Sequence, residues 1–127
     1  MVAVAENDRA KLATVAKALG KDQLAMLSFE LDMNILNLAI DQEAQDVVLL
    51  LRDLYREDRL IAYKLVSHKY YKGMQAIHQC MSVGNLAMIE AVVDLGANVD
   101  DLMHGQMHPL HCAAQTYHGL VSILYMT

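Results

Sequence analysis

Gln75-Ala76-Ile77-His78-Gln79-Cys80 and His108-Pro109-Leu110-His111-Cys112-Ala113-Ala114 set out one pattern twice. The step from His78 to His111 is a period of about 33 residues, enough for two helices and a turn. Between them run Gly84 and then Ile89-Glu90-Ala91-Val92-Val93-Asp94-Leu95-Gly96-Ala97-Asn98-Val99-Asp100. Apolar residues at helical spacing, a glycine break and a second apolar helix make one helix-turn-helix unit. Recurrence at such a period is the mark of stacked units, each hiding an apolar flank on its neighbour.

The residue types suit those positions. Pro109 fits the first turn of a helix, where a missing N–H costs nothing. Ala113 and Ala114 are small enough for helices to approach closely. Ile89, Val92 and Val93 predict the buried stripe of the second helix. Gly96 follows that helix and permits the left-handed geometry that ends it. His78 and His111, each at a helix start, can bond backbone groups across a turn.

Upstream, Asn34-Ile35-Leu36-Asn37-Leu38-Ala39-Ile40 has the same rhythm, with Asn37 in the place of the histidine. Asp46-Val47-Val48-Leu49-Leu50-Leu51 then reads as an apolar second helix. The step from Asn37 to His78 is longer than that from His78 to His111, and the surplus falls within Arg52 to Lys72. That stretch predicts an extended second helix or an additional one, with Leu54, Leu60, Ile61, Tyr63 and Leu65 as its apolar face. Residues 1–20 predict a helix from Leu12, Val15, Ala16 and Leu19, with Asn7-Asp8 as its cap and Gly20 as its stop. Leu24, Met26, Leu27 and Phe29 form a further apolar cluster. The chain divides into a helical segment 1–32, a repeat-like helix pair with a long connection 33–72, and two units in 73–127, the last incomplete. The predicted class is all-α.

Composition narrows the function. The 127 residues are 55% hydrophobic but only 6% aromatic, with nine Met and no Trp. The core is therefore aliphatic, and the apolar excess points to a partner surface. All ten Lys and Arg lie between Arg9 and Lys72. Residues 73–127 hold none, and a nucleic-acid binder needs a basic face, so that class is rejected. The longest apolar run, Val47 to Leu51, is far short of the roughly 20 residues of a membrane helix. The first residues lack the basic start and apolar run of a secretory signal. A cytoplasmic location is expected.

The unit in 73–104 resembles an ankyrin repeat at Gly73, Ile77, His78, Gly84, Ile89, Val92, Val93, Gly96, Ala97 and Val99. Pro109 to Ala114 keep the family's Pro-Leu-His-x-Ala-Ala. The chain departs from the pattern at Ala76 and Met81 in the first unit. In the second, Tyr117 stands where a glycine is expected, with Gly119 soon after. The resemblance implies an all-α helix-turn-helix solenoid whose partners are held by turn tips and by the exposed face of the first helices. Carried over residue by residue, that surface is Tyr71, Lys72, Met74, Gln79, Ser82 and Val83, then His104, Met107, Cys112, Gln115 and Thr116. His78, His111, Gly84, Gly96 and Pro109 take structural roles.

Chemistry is set aside on the residues. His104, His108, His111, Cys112 and His118 cluster in sequence but lack the tight paired spacing of a zinc site. Cys112 beside His111 is no nucleophile and base, because neighbours on one helix point to different sides. No phosphate loop or paired-carboxylate motif is present. No metal, cofactor or catalytic residue is expected. The favoured function is non-catalytic protein–protein binding. Two alternatives follow from the apolar, incomplete last unit. One is a cytosolic regulatory piece of a larger membrane protein, an ion channel or an acyltransferase. The other is a structural subunit of a large assembly. In each case further repeats or another subunit would cover the ends.

Overall fold

A computed structural model describes residues 1–98 of the chain; residues 99–127 and the side chain of Lys72 lie outside the described residues. The described part is all-helical. Its helices are α1 (Val2–Ala5), α2 (Arg9–Leu19), α3 (Lys21–Met26), α4 (Ile35–Asp41), α5 (Gln45–Tyr55), α6 (Arg59–Ser67), α7 (Ala76–Val83) and α8 (Leu86–Asp94). Short 3₁₀ turns at Glu30–Asp32 and Tyr71–Gly73 precede α4 and α7.

The helices pack in rows. In one row α1 lies against α4 and α4 against α7; in the next, α2 lies against α5 and α5 against α8. Within each pair, α1 packs on α2, α4 on α5 and α7 on α8. The remaining helices α3 and α6 touch each other and their preceding partners, α2 and α5, and α6 also packs on α4 and α7. One core runs through these rows, with Leu12, Leu24, Ile35, Leu36, Ile40, Leu51, Tyr55, Leu65, Ile77, Met81, Met88 and Ile89 fully buried. Each large aliphatic side chain removed from water there contributes about 1.5–3 kcal/mol.

Local devices recur along the chain at one spacing, that from Asn37 to His78. Phe29 N–H donates to Met33 O at 2.8 Å, and Tyr70 N–H to Met74 O at 2.9 Å, closing the two turns alike. Asp32 at φ 64° and Gly73 at φ 75° hold the same left-handed place in those turns. Asn34 N–H donates to Asn37 Oδ1 at 3.1 Å, and Gln75 N–H to His78 Nδ1 at 3.2 Å. Asn37 thus makes the contact of a helix-start histidine, as its position in the sequence predicts. An imidazole nitrogen that accepts carries no proton, so His78 keeps its hydrogen on Nε2. Glu43 at φ 54° and Gly84 at φ 75° turn the chain from first to second helix. Asn7, at φ 52°, turns the chain likewise between α1 and α2, but at a shorter step from Glu43.

Several expectations are refined or corrected. The connection from Arg52 to Lys72 contains an additional helix, α6, separated from α5 at Arg56 to Asp58. Its buried face is Ala62, Leu65 and Val66, whereas Leu60 and Tyr63 are 67% and 60% exposed. α6 packs on α3, α4, α5 and α7, and these neighbours rather than the apolar period set which of its residues are buried. In α8 the buried stripe is Met88, Ile89, Ala91 and Val92, with Leu95 beyond the helix end, and Val93 is exposed. The predicted helix in residues 1–20 is two helices, with Asp8 capping the second by accepting from Lys11 N–H at 3.1 Å.

Candidate functional site

The surface predicted from the repeat is only partly continuous. Tyr71 is exposed at the tip turn, and Met74, half-buried, closes that turn. Ser82 and Val83 lie half-buried at the other end of α7, roughly 10 Å away at 1.5 Å per residue. Gln79, between them, does not face solvent. It is buried, and its Nε2 donates to Asn37 O at 2.8 Å, so it binds α7 to α4 rather than offering itself to a partner. Its place on the exposed face is corrected on that ground. Asn37 Nδ2 and Gln79 Oε1 are buried in the same seam without a hydrogen bond. Of the expected residues, the side chain of Lys72 and all of His104, Met107, Pro109, His111, Cys112, Gln115 and Thr116, with His108 and His118, lie outside the described residues.

A second surface was not anticipated from the sequence. Between α3 and α6 opens a groove of about 610 Å³. Met26 ends α3 on one wall and Leu60 begins α6 on the other, 80% and 67% exposed. Ala25, Leu27, Met33, Ile61 and Leu65 add apolar lining. The start of α4 reaches the floor through Asn34, whose Nδ2 donates to Leu65 O at 2.9 Å. Asp22, Asp32, Asp58, Lys64 and His68 supply the polar lining. Ser28 Oγ donates to Asp32 Oδ1 at 3.1 Å, and His68 Nε2 stands 2.7 Å from Asp32 O. Asp58 occupies the N-cap position of α6, yet its side chain caps nothing.

Tyr55 lies behind the Asp22 and Asp58 side of this region. Its ring is fully buried, and its hydroxyl donates to Lys21 O at 2.7 Å. Burial pushes the phenol up to about 12, and the negative charges of Asp22 and Asp58 add to the shift. The Lys21 ammonium stands 5.6 Å from the ring centroid. A groove formed by two helices that are distant in sequence leaves one legible signal, an apolar residue at a position that should be polar. Met26 and Leu60 are such residues, but period counting assigns both to cores.

Other chemistry on the described residues is structural. Cys80 is fully buried, and burial pushes its thiol up, away from the reactive thiolate. Partial burial pushes the Asp53 carboxyl up, but hydrogen bonds from Arg52 and Arg9 outweigh it and hold the group below its ordinary value. Among the described residues no group of three or more His, Cys, Asp or Glu is placed to hold a metal. Among them, too, no helix is long and apolar enough to cross a membrane. No family model matches the chain, and no curated protein matches it.

Proposed function

We propose that this chain is a divergent ankyrin-type repeat module whose work is non-catalytic protein–protein binding. One observation carries the reading. The start of α4 and the start of α7 are built with the same cap contact, the same preceding turn and the same left-handed exit, all offset by one common step along the chain. Equivalent helices then lie side by side, α4 on α7 and α5 on α8. Units joined in this way form a quasi-one-dimensional stack that presents an extended surface. On this reading the additional helix α6 lengthens the unit without disturbing the stack.

A stack of this kind binds through what it exposes along its length. Tyr71 at the tip turn offers large, amphipathic area, suited to an interface anchor. Placing a photoreactive benzoyl-phenylalanine at Tyr71, and separately at the exposed Lys17 of α2, tests the reading in cell extract. Covalent protein adducts are expected at Tyr71 and absent at Lys17. Adducts at neither position, or equally at both, would remove the binding role assigned to the tips.

A further inference from the structure

We propose that the groove between α3 and α6 docks a short apolar segment of a partner protein that carries an arginine or lysine beside its anchoring side chain. The inference deepens the binding-module reading and rests on it.

Shape supplies the first argument. About 610 Å³ is the size of a pocket that encloses an anchor. Its walls carry the two most exposed large hydrophobic side chains among the described residues, Met26 and Leu60. They stand on facing helices, so a single inserted apolar side chain covers both. A methionine wall adapts to the side chain that enters.

Charge supplies the second argument and selects the occupant. Three carboxylates line the groove against one ammonium, Lys64, and one imidazole, His68. Asp32 is already engaged by Ser28, with His68 Nε2 3.9 Å from its Oδ2. Among the described residues, Asp22 and Asp58 form no ion pair and accept no hydrogen bond from a side chain. Both line the groove, and the charge of both raises the Tyr55 phenol behind it. Lys64 lies further along α6 than Asp58, roughly 9 Å away at 1.5 Å per residue. The groove lining therefore carries two carboxylates, Asp22 and Asp58, that form no ion pair with a described cation, although the Lys21 ammonium stands near the same ring, 5.6 Å from the Tyr55 centroid. An acidic segment would be repelled there, and a purely apolar one would leave both carboxylates partly desolvated and unpaired. A cation beside the anchor answers both, and a bidentate guanidinium does so best.

Selection of a displayed library of random short peptides on the full chain provides the test. Enriched peptides are synthesised with a fluorophore, and their binding is followed by anisotropy. The enriched sequences should pair a large apolar residue with Arg or Lys. Two double variants are compared with the wild type: Met26→Glu with Leu60→Glu, and Asp22→Asn with Asp58→Asn. Each should weaken binding by at least about tenfold, with helical circular dichroism unchanged, because neither pair lies in the core. Enrichment of acidic peptides, recovery of none, or equal binding to the variants would overturn the proposal. So would self-association of the chain in sedimentation velocity that Leu60→Glu abolishes, since the groove would then be an interface between copies. Adducts that persist at Tyr71 while the groove variants bind normally would sink this proposal alone. Loss of adducts would count against the binding module itself.

Discussion

Glu43 occupies a place that suits glycine. It turns the chain between α4 and α5 at φ 54°, as Gly84 does between α7 and α8 at φ 75°. A side chain in the left-handed region costs roughly 1–2 kcal/mol, part of which glycine returns as entropy of the unfolded chain. The Glu43 side chain is exposed, and its removal opens no gap in the core. Glu43→Gly should therefore raise stability by about 0.5–1 kcal/mol, read as a higher urea midpoint at unchanged slope. An unchanged or lowered midpoint would mean that the turn has another geometry. Asn7, at the corresponding turn, tolerates φ 52° because asparagine enters this region more readily than most residues. Residue types alone flag Gly84 as a turn, but they give no warning of Glu43.

The helices show how an element completes its neighbour. Asp8 and Asn85 cap α2 and α8 with their own side chains, accepting from Lys11 and Met88 N–H. The equivalent residue of α5 is Ala44, which has no acceptor. Asn7, from the turn before, fills the gap: its Oδ1 accepts from Val47 N–H at 3.2 Å, and its Nδ2 donates to Asp46 at 3.3 Å. Asn7→Gly keeps the left-handed backbone and removes the acceptor. The expected loss is about 1 kcal/mol, measured by urea denaturation. A variant as stable as the wild type would show that α5 does not depend on the borrowed cap. Ion pairs repeat the theme. Asp53 in α5 meets Arg9, and Asp94 in α8 meets Arg56 at 2.7 Å. Each carboxylate pairs with an arginine that precedes it by about forty residues along the chain. Exposed pairs of this kind fix register more than they add stability. The helices α4, α5, α7 and α8 are legible from apolar spacing. The borrowed cap is not, since Asn7 and Val47 lie far apart in the sequence.

At the scale of the molecule, the core passes through every pair, and Cys80 belongs to it from α7, fully buried. Burial also raises its thiol, so the closed protein presents almost no thiolate. If the rows unfold together, Cys80 reacts only through global unfolding. In a Cys112→Ser background, Ellman's reagent should label the native chain about a thousandfold more slowly than the urea-unfolded chain. The labelling midpoint should coincide with the loss of helical signal. Fast labelling under native conditions would show that α7 separates from α4 by itself.

Residue order was enough to read the all-helical class, the starts of α4 and α7 and the matching cap contacts of Asn37 and His78. Each of these depends on contacts within a few residues, where apolar period, cap and turn chemistry act directly. Tertiary structure alone decided the orientation of Gln79, the exposure of Leu60, Tyr63 and Val93, and the groove between α3 and α6. A helix has more than one face that period counting allows, and the neighbours that arrive from far along the chain choose between them. Gln79 turns inward because Asn37 O stands across the seam to receive it, and Leu60 stays exposed while Ala62, Leu65 and Val66 of the same helix are buried among its neighbours.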